Sequence, residues 1–394
     1  MTAIGPLHVT LKVAARCNLN CGYCYVYNKA DQSWRDQPVM MSDAVVRATV
    51  ARLRRHCERS GQPILRLVFH GGEPMLVGAQ RFDRWCRMLV DGLADLVQIR
   101  FAVQTNGTLV DSEWIETFRR HQVVVGVSVD GPPEIHDAFR VDHQGRGSYA
   151  AVRSGIERLT AAGLPVSILS VVQLGADPVR TYRHLVGLGA CQIEFLLPDH
   201  THETMSAVRA EFGPTPGADF LIPIFDDWWS SGAMNLRVGP FVAIARAILG
   251  GPCEVDFIGN NPLGYLFVEP DGSIEGLDVL RICSPGLART GCNVLTDDFT
   301  DVASASPMHR AIVFEGLPLP SGCQACPEQK TCAGGYIPHR YAAERGFDNP
   351  SVWCPDLLKT FAHIRNRLGV GHQETVLRHQ ALTDLATSAR GTAR

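Results

Sequence analysis

The sequence predicts an α/β protein with a parallel sheet, and three observations support this fold class. Short β-branched or apolar segments recur along about the first 200 residues, each bounded by Gly, Pro, Asn or Asp. Helical patterns lie between these segments. Strands that alternate with helices form parallel sheets through right-handed crossovers, so the pattern predicts an incomplete barrel of about six βα units.

Each predicted element has its own local signal. The strands are predicted at 7–13, 64–69, 98–103, 123–129, 165–172 and 191–197. Helices are predicted to begin after Ser42, Asp111 and Ser148, because Ser and Asp cap helix N-termini, and the third is predicted to stop at Gly163. Ligands of such sheets bind beyond the carboxyl ends of the strands. We therefore expect the segments that follow the strands to share one site.

Three cysteines, Cys17, Cys21 and Cys24, follow the first predicted strand. Three thiolates leave one iron of a four-iron cluster open to a substrate or cofactor. The spacing alone also suits part of a structural zinc site, or three thiols near a turn. A c-type haem is excluded because Tyr25, not His, follows Cys24. The trio therefore predicts redox chemistry at an iron site, with zinc as the alternative.

The arrangement Cys-x3-Cys-x2-Cys, with Tyr23 before the third Cys, resembles the signature of the radical S-adenosylmethionine (radical SAM) enzymes. Further matches follow in the expected order, at His70-Gly71-Gly72-Glu73-Pro74, at Gln104-Thr105-Asn106-Gly107, and at Ser128-Val129-Asp130-Gly131 followed by Arg140. The resemblance implies a radical SAM partial barrel over 1–210. It also implies a 4Fe-4S cluster on the cysteine trio, with S-adenosylmethionine bound to its open iron.

The same resemblance implies which residues bind the cofactor: Tyr23, Gly71, Gly72, Glu73, Gln104, Asn106, Ser128, Asp130 and Arg140. Glycines let a ligand approach the main chain closely, and a Glu carboxylate can accept a hydrogen bond from an ammonium group. Each motif taken alone could be an ordinary turn or surface charge. Arg140 could equally pair with Asp137 or Asp142.

After the predicted barrel, the composition changes. Residues 211–252 read as a helical connection, with apolar helical patterns around Phe225 and Phe241. A β-hairpin is predicted from Gly264 to Leu277, with its turn at Asp271-Gly272. We expect a small α+β, cysteine-rich domain over 253–370 and a polar C-terminal tail over 371–394.

A second cysteine set, Cys323-x2-Cys326-x5-Cys332 followed by Cys354, can enclose a tetrahedral zinc or a cubane cluster. This region resembles the SPASM extension of radical SAM peptide-modifying enzymes, which implies one auxiliary 4Fe-4S cluster on these four cysteines. Two cysteines of the usual seven-cysteine pattern are replaced, by Leu277 and Tyr336. We therefore expect the family's other auxiliary cluster to be absent or rebuilt. Possible ligands of a rebuilt site, or simply buried thiols, are Cys253, Cys283 and Cys292.

The stretch from Cys332 to Cys354 resembles the SPASM segment of maturases that form cyclophane crosslinks in ribosomally made precursor peptides (RiPPs). The resemblance implies that a 5′-deoxyadenosyl radical removes a hydrogen atom from a peptide β-carbon, which then joins an aromatic ring. A base is also needed, and the weak candidates are Asp199, His200 and Asp278, each of which could be an ordinary loop charge.

Two alternatives stay open at this point. A sulfatase-maturing enzyme that oxidises Cys or Ser to formylglycine belongs to the same superfamily, although the incomplete cysteine pattern argues against it. A non-catalytic iron-sulfur or zinc scaffold is the alternative from another class.

The charge, hydropathy and cysteine content of the whole chain narrow the range of partners that the sequence predicts. A net charge of −3 without a basic block argues against nucleic acid. No apolar run of about 18 residues is present, which argues against a membrane span. Thirteen cysteines without an export signal indicate a reducing cytoplasm. The first strand begins near Leu7, so we expect no N-terminal leader-binding domain. The expected partners are a ribosomally synthesised precursor peptide and an external electron donor such as a flavodoxin or ferredoxin.

Overall fold

The structure is a computed structural model that describes residues 7–232, 236–253, 255–259 and 262–391. The chain divides into two compact units. The first comprises Met1–Val171, Arg183–Ile193 and Pro262–Gly316, and the second comprises Val172–Tyr182, Glu194–Asn261 and Leu317–Arg394. The predicted domain limits at 210, 252 and 370 stay predictions.

The strands of the described residues are β1 His8–Ala14, β2 Ile64–Gly71, β3 Gln98–Thr105, β4 Val124–Ser128, β5 Val166–Val171, β6 Gln192–Leu196, β7 Arg237–Val238, β8 Tyr265–Val268, β9 Ser273–Glu275 and β10 Arg289–Asn293. The helices of the first half are α1 Asp43–Ser60, α2 Ala79–Leu93, α3 Ser112–Arg120, α4 Pro133–Phe139, α5 Tyr149–Ala161 and α6 Pro178–Gly187. The later helices are α7 Met205–Phe212, α8 Pro216–Ser231, α9 Gly239–Ile248, α10 Val302–Ala305, α11 Pro307–Arg310, α12 Cys354–Leu368 and α13 His372–Gly391. Short 3-10 or π turns lie at Ser33–Arg35, Pro74–Val77, Asp278–Ile282, Phe299–Asp301, Ala311–Glu315, Ser321–Cys323 and Ile337–Arg340.

The sheet of the first unit confirms the predicted α/β class. Its strand order is β10-β9-β8-β1-β2-β3-β4-β5. Neighbours from β1 to β5 are parallel, and β8 also pairs in parallel with β1. The hairpin strands β8, β9 and β10 are antiparallel, so the sheet is mixed. All six predicted strands are present, and each end lies within two residues of its predicted position.

Aromatic packing holds helices α2 and α3 against the sheet. The Phe69 ring of β2 lies 4.2 Å from that of Phe82, which in turn packs edge-on against Trp114 at 5.3 Å and Phe118 at 5.9 Å. All four side chains are buried. Aromatic pairs of this kind contribute about 0.5–1.5 kcal/mol each beyond the burial of their surface.

Two of the three predicted helix caps are confirmed. Ser42 accepts a hydrogen bond from the Val45 N–H at 3.2 Å, and Asp111 accepts one from Trp114 at 2.9 Å. Ser148 does not cap α5, because its backbone is already helical (φ −104°, ψ −8°) instead of extended as a capping residue needs. The Asp137 carboxylate accepts from the Tyr149 N–H at 2.8 Å in its place.

The predicted hairpin turns at Asp271-Gly272, where the Gly272 N–H donates to the Glu269 carbonyl at 2.9 Å and φ is +88°. Only glycine adopts this left-handed conformation at little cost. The pairing of β8 with β1 places the hairpin in the first unit. Helix α13 occupies most of the stretch expected to form the tail.

In the second unit, both helical patterns predicted after the barrel form helices, α8 and α9. They meet through the Phe225 and Phe241 rings, whose centroids lie 5.3 Å apart. Across the described ranges, no helix is both long and apolar enough to cross a bilayer.

Candidate functional site

The loop that carries Cys17, Cys21 and Cys24 begins where β1 ends, at Ala14. The Leu19 N–H donates to the Cys17 sulfur at 3.4 Å. Burial raises the pKa of the Cys17 thiol to about 12. The nearby Glu73, Cys21 and Cys24 side chains make smaller contributions to this rise. Soft sulfur ligands with N–H···S hydrogen bonds are the donor set of an iron-sulfur cluster, so the three residues fit the implied group.

The glycine motif at the end of β2 lies directly against this cysteine loop. The Gly72 N–H donates to the Ala14 carbonyl at 2.7 Å, and the Glu73 N–H donates to the Arg16 carbonyl at 3.0 Å. A Cβ on Gly71 would lie 2.3 Å from the Ala14 oxygen, and one on Gly72 would lie 2.4 Å from the Arg16 oxygen. The glycines are therefore required by the cysteine loop itself, before any ligand is considered.

Glu73 is 1% exposed and holds the ends of two strands together. One carboxylate oxygen accepts from the Met75 N–H at 2.9 Å and the Thr105 hydroxyl at 2.7 Å, and the other accepts from the Asn106 N–H at 2.8 Å. Burial outweighs these hydrogen bonds and raises the pKa of Glu73 to about 7. Its predicted contact with the cofactor ammonium stays a prediction.

The segment after β3 contacts the cysteine loop through amide groups. Asn106 Nδ2 donates to the Asn18 side chain at 2.8 Å and lies 3.8 Å from the Cys17 sulfur. Gln104 Nε2 donates to the Ser128 hydroxyl at 2.8 Å, which links the ends of β3 and β4. The motif residues after β1, β2, β3 and β4 thus lie together at one edge of the sheet, as the sequence predicts.

Tyr23, Asp130 and Arg140 form one buried network. The Tyr23 hydroxyl donates to Asp130, and Arg140 donates to both oxygens of that carboxylate, at 2.9 and 3.2 Å. Burial alone would lower the pKa of Arg140, but the Asp130 charge reverses the effect and raises it. Arg140 therefore pairs with Asp130, not with Asp137 or Asp142. A direct contact of these three residues with the cofactor stays a prediction.

A second buried network of the first unit contains Asp278, the only weak base candidate in that unit. Lys12 Nζ lies 2.8 Å from Asp278 Oδ2 and 3.1 Å from Glu269 Oε1, and the Tyr25 hydroxyl donates to Asp278 at 2.5 Å. Burial by itself would raise the pKa of Asp278, but Lys12 and His70 outweigh it and lower the pKa. Asp278 is thus a buried carboxylate that stays ionised.

Arg281 extends this network to two more carboxylates. Its Nη2 donates to Glu269 at 3.1 Å and to Glu275 at 2.7 Å, and its Nε lies 3.9 Å from Asp31. Burial, and then the Glu269 charge, raise the pKa of Glu275 to about 8. Within the described residues, Arg281 Nη1, Glu275 Oε2 and His70 Nδ1 are buried without a hydrogen-bond partner.

Sequence reasoning did not single out Lys12, Tyr25, Glu269, Glu275 or Arg281. Lys12 offered a signal, since a lone cation inside the apolar run Leu-His-Val-Thr-Leu-Lys-Val is unusual for a buried strand. Its carboxylate partners are about 260 residues away in the chain, and nothing in the sequence indicates that β8 lies beside β1.

The second thiol set belongs to the second unit. Burial raises the pKa of the Cys332 thiol to about 12. A smaller part of this rise comes from the nearby thiols of Cys354, Cys323 and Cys326. The donors are four soft sulfur atoms, which fit an iron-sulfur cluster. Across the described ranges, no group of three or more His, Cys, Asp or Glu side chains is arranged to hold a single metal ion.

The remaining predicted residues are divided between the units. In the second unit, Asp199 lies 3.5 Å from His339 Nε2 and His200 contacts the Thr204 hydroxyl at 3.1 Å. Both stay weak candidates. The two positions that depart from the seven-cysteine pattern are occupied by packed side chains, Leu277 in the first unit and Tyr336 against His339 in the second.

Three further cysteines were left open between cluster ligands and buried thiols. Cys253 lies in the second unit and donates to the Ile258 carbonyl at 3.2 Å. Cys283 and Cys292 lie in the first unit. Whether any of them binds a cluster stays open.

Comparison with known proteins identifies the family. Residues 11–181 match the Radical SAM superfamily. A serine-type anaerobic sulfatase-maturating enzyme of Bacteroides thetaiotaomicron is 32% identical over 378 residues, which cover 91% of this chain and 89% of that protein. A cysteine-type anaerobic sulfatase-maturating enzyme of Clostridium perfringens is 25% identical over 373 residues, covering 92% and 97% of the two chains.

Two solved structures share the fold. Native anSMEcpe with bound AdoMet has a TM-score of 0.79 at 21% identity and covers 92% of this chain and 98% of its own. Streptococcus suis SuiB bound to the precursor peptide SuiA has a TM-score of 0.57 at 15% identity and covers 85% and 72%.

The chain therefore belongs to the radical SAM superfamily of enzymes, whose cofactors are a 4Fe-4S cluster and S-adenosylmethionine. Within that superfamily, it is related to the anaerobic sulfatase-maturating enzymes over 91% of its sequence.

Proposed function

We propose that this enzyme oxidises a side chain of a peptide or protein substrate by removing a hydrogen atom from its β-carbon. The observation that carries the proposal is the relationship over about nine tenths of the chain to enzymes that modify a Ser or Cys of a sulfatase. With S-adenosylmethionine bound, a cluster on Cys17, Cys21 and Cys24 supplies the 5′-deoxyadenosyl radical that removes this atom.

We favour Asp278 among the candidate bases as the residue that takes the proton that must also leave the substrate. A general base has to be ionised, and Lys12 keeps the Asp278 carboxylate so in a buried setting. The Tyr25 hydroxyl and Lys12 both contact its Oδ2 atom, which fixes the orientation of the carboxyl group. Asp199 and His200 have no comparable arrangement among their described contacts.

Formylglycine formation is the first candidate outcome, and the curated relatives favour it. Oxidation of a serine alcohol to the aldehyde removes one hydrogen atom, one proton and one electron from the substrate. In our proposal, the electron leaves through an auxiliary cluster on Cys323, Cys326, Cys332 and Cys354, and a flavodoxin or ferredoxin of a reducing cytoplasm supplies the reducing equivalents that start each cycle.

A cyclophane-type crosslink in a ribosomal precursor peptide is the second candidate, and a different observation favours it. Leu277 and Tyr336 replace two cysteines of the seven-cysteine pattern expected of a sulfatase-maturing enzyme, and both side chains are packed. Bond formation between the β-carbon and an aromatic ring requires the same removal of two hydrogens. The two outcomes thus differ in the fate of the carbon radical.

The test is an anaerobic reaction of the reconstituted enzyme with dithionite, S-adenosylmethionine and two peptides, one with a single Ser or Cys and one with an aromatic residue near a polar one. We expect 5′-deoxyadenosine and an oxidised peptide. An aldehyde captured by a hydrazide identifies the first outcome. A peptide that has lost two hydrogens, and whose mass spectrum lacks fragment ions between the two joined residues, identifies the crosslink. Absence of 5′-deoxyadenosine would contradict both.

Variants separate the stages of this reaction. C17A is expected to abolish 5′-deoxyadenosine formation, because it removes a ligand of the cluster that binds the cofactor. D278N is expected to retain 5′-deoxyadenosine formation while peptide product falls at least about 100-fold, the usual range for loss of a general base. D95N, at a carboxylate that is 60% exposed and paired with Arg54, is the matched control and should leave both products unchanged.

A further inference from the structure

Arg340 is a buried arginine of the second unit, and no carboxylate of the described residues pairs with it. Arg340 is 1% exposed, and its guanidinium donates to the carbonyls of Ala333, Gly334 at 3.3 Å and Pro318 at 3.4 Å. Among the described residues, it forms no ion pair with Asp or Glu. Buried arginines are normally paired with an anion, because an uncompensated buried charge costs several kcal/mol.

The groups near Arg340 that can carry a negative charge are the thiols of the second set. Burial lowers the pKa of Arg340, and the Cys332 and Cys323 thiols are the groups that oppose this effect. Thiols are neutral when protonated and anionic when they bind metal. The charge of Arg340 is therefore compensated only when these cysteines are ligands.

The backbone between Cys332 and Arg340 is shaped to serve both groups. Ala333, Gly334 and Gly335 follow one another with φ values of +49°, +88° and +74°. This conformation directs the carbonyls of Ala333 and Gly334, the two residues that follow Cys332, to the guanidinium, which holds Arg340 beside that cysteine. A Cβ on Gly334 would lie 2.7 Å from Arg340 Nη2. A strained conformation at a non-glycine residue, Ala333, is stable only when its surroundings enforce it.

We propose that Arg340 is the counter-charge of the auxiliary 4Fe-4S cluster on Cys323, Cys326, Cys332 and Cys354, and that it raises the reduction potential of that cluster. The inference rests on the proposed function in one respect, since it requires that the cluster exists. Reduction adds one electron and breaks no bond, so the reduced cluster carries one more negative charge than the oxidised cluster. A fixed buried cation stabilises the reduced state more.

The test is a redox titration of the full chain, followed by electron paramagnetic resonance. Cys17, Cys21 and Cys24 are replaced by Ala, so that only the auxiliary cluster contributes to the signal. In this background, R340Q should lower the ratio of reduced to oxidised cluster about tenfold at a fixed applied potential, which is ~59 mV for one electron. R340K retains the charge and should keep most of the original potential.

The control is R367Q. Arg367 lies at the end of α12 that is far from Cys354, its side chain is 45% exposed, and water screens its charge. We expect the cluster of R367Q to titrate at the same potential as the cluster of the unsubstituted background. A shift of equal size in R340K and R340Q would show that the lost hydrogen bonds, not the charge, set the potential, and would overturn the proposal.

Two other results have distinct meanings. If R340Q binds the cluster and that cluster titrates at the original potential, the role proposed for Arg340 is wrong. The proposed function is then unaffected. If the background protein, with Arg340 intact, binds no cluster on the second thiol set, both this inference and the proposed electron path are overturned. Should R340Q fail to fold, R340K against R340M decides the point by the same comparison of potentials.

Discussion

The two thiol sets each have a buried arginine beside them, but the charge of each arginine is balanced differently. Burial raises the pKa of the Cys21 thiol, and Arg140, which donates to both oxygens of Asp130, is close enough to oppose that rise. Arg340, beside Cys332 and Cys323, donates to backbone carbonyls and to no carboxylate among the described residues. Around the first set, the protein itself neutralises the cation. Around the second set, the cysteine sulfur atoms are the groups that would balance the charge of the arginine.

This difference matches the tasks proposed for the two regions. A cluster that must deliver an electron to S-adenosylmethionine benefits from a low reduction potential, which a neutralised arginine leaves undisturbed. A cluster that must accept an electron benefits from a higher potential, which an unpaired cation provides.

The largest expected effect comes from breaking the first pair. D130N leaves Arg140 buried without its carboxylate, which makes the first region resemble the second. We expect the metal-free protein to lose about 3 kcal/mol of unfolding free energy, the typical cost of removing one partner of a buried ion pair. Urea denaturation measures this loss. D95N, at an exposed ion pair with Arg54, should leave the midpoint unchanged. An equal, small effect of both substitutions would contradict the comparison.

A smaller effect is expected where the first cysteine loop contacts β2. In G72A, the new methyl group would lie 2.4 Å from the Arg16 carbonyl and 1.9 Å from the Tyr27 hydroxyl, so the loop must shift. Overpacking of this kind costs about 2 kcal/mol. Gly22 lies in the same loop with no atom within 4 Å of its Cβ position, so G22A is the control. Equal urea midpoints for G72A and the unsubstituted protein would show that the loop adapts freely.

The smallest effect concerns pH and the network of Arg281. Burial raises the pKa of Glu275 to about 8, so the folded protein binds this proton more tightly than the unfolded chain, in which the group titrates near 4.5. The stabilisation of the folded state by this proton is complete below pH 4.5 and is lost as the pH rises to about 8. E275Q should remove this contribution, while Glu269, whose pKa is lowered, continues to titrate in the opposite sense. Denaturation at pH 5 and pH 8 tests it, and an unchanged pH dependence in E275Q would exclude Glu275 as its source.

Much of the first unit could be predicted because its signals are local. Apolar runs, Ser42, Asp111 and the Asp271-Gly272 turn each specify a short segment, and the six strands were found within two residues of their ends. The Ser148 cap failed because Asp137, eleven residues earlier, provides the carboxylate that accepts the Tyr149 N–H. That contact depends on how α4 and α5 meet, which sequence periodicity does not specify.

The sequence by itself determined the fold class, the two thiol sets and the order of the cofactor motifs, because strand alternation and cysteine spacing are properties of neighbouring residues. Only the tertiary structure decided that Arg140 pairs with Asp130, that Lys12 keeps Asp278 ionised, and that Arg340 lies near Cys332 without a carboxylate partner among the described residues. The ionisation and pairing of a buried group depend on which distant residues surround it, and folding alone brings those residues together.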